Sequence, residues 1–150
     1  MKFYTSYWAR VRDFPTNLVG LNTTVWPPHW RPLGKDNNGV IVVDCPPFKP
    51  GEKCAGLCDG KCAKKHPEDC LFLRTYRQQL EDEITPDFFQ SLNDLADRIK
   101  NGEHLDDIDF AFIVFEKYDN PCSERWAIQD WFRKKGMAIE EWTKKSAINN

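Results

Sequence analysis

Apolar positions recur along this chain in two rhythms, and the rhythms assign most of its elements. Residues 2–8 (KFYTSYW) and 18–25 (LVGLNTTV) are dense in aromatic and β-branched side chains, as strands are. A short run at 39–43 (GVIVV) reads as another strand. Residues 109–115 (DFAFIVF) are almost continuously apolar over a strand's length, the pattern of a central strand covered on both faces. Between these runs the period lengthens. In 70–83 (CLFLRTYRQQLEDE), Leu71 or Phe72, Tyr76 and Leu80 share one helical face. Thr85-Pro86 starts a second helix, with Thr85 as N-cap and Pro86 at the first helical position. Its stripe of Phe88, Leu92, Leu95 and Ile99 runs to about Lys100, and Asn101-Gly102 stops it. Asn120-Pro121 opens a third helix that closes at Gly136, and 137–142 (MAIEEW) fits a last strand.

Residues 26–38 (WPPHWRPLGKDNN) cannot form regular structure, because Pro27, Pro28 and Pro32 fix the backbone and remove donors. Strands, helices and strands in this order predict an α/β domain. The expected architecture is a three-layer sandwich with a mostly parallel central sheet. No repeat or low-complexity segment divides residues 1–150, so one domain is expected. A formal net charge of −2 supplies no global field for nucleic acid, although a local basic patch stays possible. Residues 1–15 contain no apolar core of signal-peptide length. No apolar run approaches the roughly 20 residues that span a bilayer. The expectation is a soluble, cytoplasmic protein with no membrane partner; the pattern does not set an oligomeric state.

The densest chemistry is a run of thiols. Cys45, Cys54, Cys58, Cys62 and Cys70, with His66 among them, put five of the six cysteines into one stretch. From Cys54 onward a soft ligand recurs at every fourth residue. In a reducing compartment such clustered thiols are ligands more often than crosslinks. Glycines and prolines throughout 46–67 argue against a regular helix, so a loop folded around an ion is expected. Such a loop would owe its order largely to metal. Cys54, Cys58, Cys62 and Cys70 are the expected ligands, with Cys45 and His66 in reserve. Zinc is the first expectation, and a [4Fe-4S] cluster, which also takes four thiolates, is the alternative. Free redox thiols or disulfides would be the non-metal readings.

The sixth cysteine stands apart. Open α/β sheets bind ligands beyond the carboxyl ends of their strands. The most apolar predicted strand delivers the chain to Glu116 and then to Cys122-Ser123-Glu124-Arg125. With Asn120 as N-cap, Cys122 and Ser123 would lie in the first helical turn, where free N–H groups and the dipole favour an anion and a thiolate. Arg125 could pair bidentately with phosphate or carboxylate. Equally, Cys122 could be a small packing residue and Arg125 a structural partner of Glu116 or Glu124.

This C-terminal stretch, FIVFEKYDNPCSERWAIQDWFRKKGMAIEEW (112–142), resembles the motif of the domain of unknown function 488 family. The start KFYTSYWARV (2–11) is similar to that family's opening, and LVGLNTTVWPPHW (18–30) sits where the family has a strand and a small-polar turn. The chain departs from the family pattern at Cys122-Ser123-Glu124-Arg125, where many relatives have Cys-His-Arg. The cysteine loop looks like an elaboration of the family's variable middle. The resemblance implies an α/β fold and a site lined by Thr5, Ser6 and Tyr7, by Thr24 and Trp26, and by Glu116, Cys122, Ser123 and Arg125. It implies no reaction.

The resulting expectation is a metal-binding α/β protein taking a small anionic or nucleotide-like ligand around Cys122–Arg125. One alternative is an enzyme acting on a nucleotide or nucleic acid, with Cys122 as reactive thiol, Ser123 and Arg125 on the anion, and Glu116 or Glu124 handling protons. Another is an iron–sulfur redox protein. Trp26, Trp30 and Arg31 form an aromatic-basic cluster of the kind that stacks bases, or else a lid packed by prolines.

Overall fold

The computed structural model describes residues 1–58 and 66–144. Its elements in chain order are β1 (Phe3–Tyr7), α1 (Trp8–Val11), β2 (Leu18–Asn22), β3 (Gly34–Lys35) and β4 (Ile41–Asp44). After the cysteine loop come α2 (Leu71–Glu83), α3 (Pro86–Glu103), β5 (Asp109–Val114), α4 (Glu124–Lys134) and β6 (Glu140–Glu141). The six strands form one sheet in the order β3-β4-β2-β5-β1-β6. All neighbours are parallel except β3, which runs antiparallel to β4. The fold is α/β, with a mostly parallel sheet between unequal layers.

Strand alternation sorts the core into two faces. Phe110, Phe112 and Val114 of β5 point towards Tyr76, Leu80, Leu92, Trp131 and Phe132 of α2, α3 and α4. Ala111 and Ile113 point the other way, onto Trp8 and Val11 of α1 and onto Phe14 and Trp142. The helical side is built from aromatic rings. The Phe48 and Phe112 centroids lie 4.6 Å apart, and those of Phe3 and Phe132 lie 5.1 Å apart. Gly20 of β2 is required by close packing, since a Cβ there would lie 2.5 Å from Ile113 Cδ1.

The connections explain where a ligand fits. From β1 the chain passes β5 to reach β2 with α1 on one face, then continues in the same direction to β4. From β4 through β5 to β6 it moves back across the sheet with α2, α3 and α4 on the other face. Direction and face reverse together, as right-handed crossovers demand. The connections leaving β2 and β5 therefore part to opposite faces, and a crevice opens beyond their carboxyl ends.

Several boundaries differ from the expectation. The second helix runs through Asn101 and Gly102 and ends where His104 turns left-handed (φ 55°) and donates its N–H to Lys100 O. The α4 helix begins at Glu124, not at Pro121, because Ser123 is its cap: Ser123 Oγ accepts the Arg125 N–H at 3.2 Å. Asn120 instead caps a separate turn, its Oδ1 accepting the Cys122 N–H at 2.9 Å. Leu71 is exposed, and the buried α2 stripe is Leu73, Tyr76 and Leu80. The last strand shrinks to two residues alongside Tyr4 and Thr5 of β1. No helix among the described residues is long and apolar enough to cross a membrane.

Candidate functional site

The crevice beyond β2 and β5 has a volume of about 420 Å³. One wall is the turn Thr23-Thr24-Val25. Asn22 builds it: its Oδ1 accepts from Thr24 N (3.0 Å) and Thr24 Oγ1 (2.6 Å), while its Nδ2 donates to Thr24 O and to Asp44 Oδ1. Thr23 Oγ1 ties the same turn to β5 through Ile113 O at 2.7 Å. The floor is Val114 and Phe115 at the end of β5, with Glu124 from the first turn of α4. The outer wall is the first part of the cysteine loop, including Pro50, Cys54, Ala55 and Cys58, and Phe72 of α2 closes one end.

This part of the loop is tied down by α2. Gln79 Oε1 accepts from Gly51 N at 2.8 Å and from Cys54 Sγ at 3.7 Å, and Gln79 Nε2 donates to Lys49 O at 2.6 Å. Tyr76 Oη donates to Phe48 O at 2.6 Å. Segment 46–54 is thus held by two side chains of one helix, Tyr76 and Gln79.

Among the described residues, the expected ligands Cys54, Cys58 and Cys70 form no group of three with clustered ligand atoms. Cys54 is buried, Cys58 is exposed, and Cys62 lies outside the described residues. Cys70 caps α2, its Sγ accepting the Leu73 N–H at 3.5 Å. Among the described residues the one triad with ligand atoms within 4.8 Å of each other is His66, Glu68 and Asp69, all exposed. Burial pushes the Cys54 thiol up and the Cys45 thiol up to about 12, so both hold their protons at neutral pH. Thiolate chemistry suits zinc, and Cys54, Cys58 and Cys70 are not among the described residues whose ligand atoms cluster.

Glu124 lines the crevice, and a second carboxyl stands behind it. Glu116, half-buried, follows β5, and Ser123 Oγ donates to its Oε2 at 3.3 Å. Glu124 lies near Glu116; burial first, and then the Glu116 charge, raise Glu124 to about 8. Ser123 organises both, capping the helix with one lone pair while holding Glu116 with its hydrogen.

Arg125 faces elsewhere. It is fully buried, with Nε donating to Glu141 Oε1 at 2.8 Å, and it lies 5.6 Å from the Tyr7 ring centre and 5.9 Å from that of Trp126. Glu141 Oε1 also accepts from Thr5 Oγ1 at 2.8 Å, and Thr5 accepts from Gln129 Nε2 at 2.8 Å. Arg125 therefore ties α4 to β1 and β6, with a partner that neither sequence alternative named. Burial pushes the Glu141 carboxyl up, and Arg125 opposes that push. Arg125 Nη1 and Nη2 are buried without a protein partner among the described residues.

Of the residues expected at the site, Thr24 lines the crevice, and Glu116 and Ser123 support Glu124 behind it. Thr5 and Tyr7 belong to the Arg125 network, Tyr7 Oη accepting from Arg10 Nε at 3.1 Å. Ser6 is buried on the opposite face of β1. Trp26 is 78% exposed and does not line the crevice. Cys122 is half-buried and precedes the helix, so the dipole argument for its thiolate does not apply as drawn. Arg31 is buried and spent on the carbonyls of Pro32, Gly34 and Val40, leaving exposed Trp26 and Trp30 without a cationic neighbour from that residue.

Fold and site together define an α/β protein with a strand-end crevice facing a paired carboxyl. No protein-family model, curated protein or solved structure matches the chain. The family resemblance rests on its motif residues.

Proposed function

We propose that this protein binds a small molecule with a flat apolar body, nucleobase-like in size, in the crevice between the ends of β2 and β5. The observation that carries this reading is the crevice itself: about 420 Å³, walled by Val25, Phe72, Val114 and Phe115, with Glu124 set into its floor. That volume and a mostly apolar lining with few polar groups are the usual make-up of small-molecule sites. Its place at the point where the connections part supports the same reading. It is also adjacent to the strand–turn–helix that carries the resemblance to the domain of unknown function 488 family. Zinc held by the cysteine run rests on spacing alone, and nothing in the crevice reading passes through a metal.

A second reading, proton transfer to a bound substrate, is favoured by one observation. Glu124 keeps a proton at neutral pH beside the Glu116 carboxylate, the state a general acid needs.

A thermal-shift panel of nucleobases, nucleosides and nucleotides tests the binding reading, since a ligand of the native state raises the melting temperature. Ala55 is exposed and lines the crevice, so Ala55→Trp fills it without disturbing the core. A hit on wild type that disappears in Ala55→Trp is expected. Hits retained by Ala55→Trp would overturn the crevice as their site.

A further inference from the structure

The charge of the crevice does not match an anionic ligand. The ionisable side chains lining it are Glu52, Glu124, Cys54 and Cys58; no lysine, arginine or histidine among the described residues lines it. The nearest guanidinium, Arg125, is turned to Glu141 on β6. Lys49, on the loop, is paired with Asp44 at 2.7 Å. Behind Glu124 stands Glu116, held in place by Ser123 Oγ. Burial and the Glu116 charge hold Glu124 in its protonated form, with Arg125 opposing them, and no positive side chain among the described residues lines the crevice.

We propose that the ligand carries a cationic, hydrogen-bond-donating group, an amidinium or ammonium, on its flat apolar body, and that Glu124 with Glu116 receives it. This rests on the crevice reading above and adds the sign of the ligand's charge. The geometry is complementary on both counts. The rings of Phe72 and Phe115 and the side chains of Val25 and Val114 meet an apolar body. Carboxylate oxygens accept two N–H groups from an amidinium in parallel, the strongest neutral-pH pairing open to them. The bound cation replaces the Glu124 proton, which leaves to solvent as that carboxyl ionises. Glu52, exposed at the mouth, adds a second negative charge on the entry path.

Three probes of one shape and different charge test this: benzamidine, benzamide and benzoate, titrated into the full chain while amide shifts of Thr24, Val114 and Glu124 are followed by NMR. Benzamidine is expected to move these signals with an affinity roughly tenfold or more above benzoate's, the effect of a hydrogen-bonded charge pair. Glu124→Gln, which keeps the shape and replaces the acid O–H donor by an amide N–H, is expected to reduce benzamidine affinity by a similar factor and leave benzamide nearly unchanged. Benzoate or benzamide binding as tightly as benzamidine, or an unchanged benzamidine affinity in Glu124→Gln, overturns cation selection and leaves the crevice reading standing. No response at these amides to any of the three rings overturns both.

Discussion

Replacing Glu124 by glutamine turns the buried carboxyl pair into a measurable slope. Burial and the Glu116 carboxylate raise Glu124 from its ordinary 4.5 to about 8. Between those values the folded chain holds a proton that the unfolded chain has already lost. Stability tied to this group is therefore fully present below about 4.5 and is lost as pH rises towards 8. Each pH unit in the window removes about 1.4 kcal/mol, giving a total on the order of 4–5 kcal/mol and about 2 kcal/mol by pH 6. Glutamine has the shape of the protonated acid and can donate to Glu116, but it does not titrate. The expected result is equal stability at pH 4.5 and a variant that is progressively more stable up to pH 8. Urea unfolding at half-unit pH steps, with a constant m-value as the two-state check, gives both curves. A difference that stays flat between pH 5 and 8, or that favours wild type at pH 8, would refute the reasoning.

Other outcomes follow from the packing and the ion pairs. Arg125→Met leaves the Glu141 carboxyl buried without its cation and is expected to cost about 3–5 kcal/mol, with much of the loss recovered in Arg125→Met/Glu141→Met. Denaturant midpoints of the two single variants and the double variant check this as a cycle. Tyr76→Phe removes the buried donor to Phe48 O and is expected to cost about 1–3 kcal/mol, read from the same curves, and to loosen segment 46–54 in amide exchange. Gly20→Ala forces the Ile113 side chain aside and is expected to cost about 1–3 kcal/mol in calorimetry or urea. Elemental analysis checks the cysteine spacing. Stoichiometric zinc in a colourless protein agrees with the first expectation, a brown protein with the cluster, and neither metal overturns the ligand reading of the loop.

The strands and the starts of helices were legible because they depend on local chemistry. The 109–115 run could only be a strand covered on both sides, and β5 is the central strand, with Phe110 and Ile113 both fully buried. Thr85-Pro86 marked the start of α3 because proline suits the first helical position. The start of α4 was misread because Asn120-Pro121 and Ser123 both carry cap chemistry, and only the actual bond from Arg125 N to Ser123 Oγ decides between them. Asn101-Gly102 did not end α3, because packing of Ala96 and Ile99 onto the core outweighed the cost of a glycine one turn further on. The Glu116–Glu124 pair had one sequence signal, two acids flanking a turn at a strand end. Its weight comes from the cysteine loop covering it, a tertiary event that no local pattern encodes. Arg125 reads in the sequence as an anion binder or as a partner of Glu116 or Glu124, and its partner, Glu141, lies 16 positions away on β6.

The strand order also governs when the chain can fold. β5 lies between β1 and β2, pairing Phe3 with Phe110 and Leu18 with Asp109, so the two N-terminal strands never touch each other. During synthesis they wait side by side with their inner edges open until the chain has reached Val114. Such late, long-range closure makes for slow folding and a period of exposed strand edges. A ribosome-bound chain whose β5 is still inside the exit tunnel should accordingly leave β1 free to be captured by chaperones, with the sheet closing once Val114 has emerged.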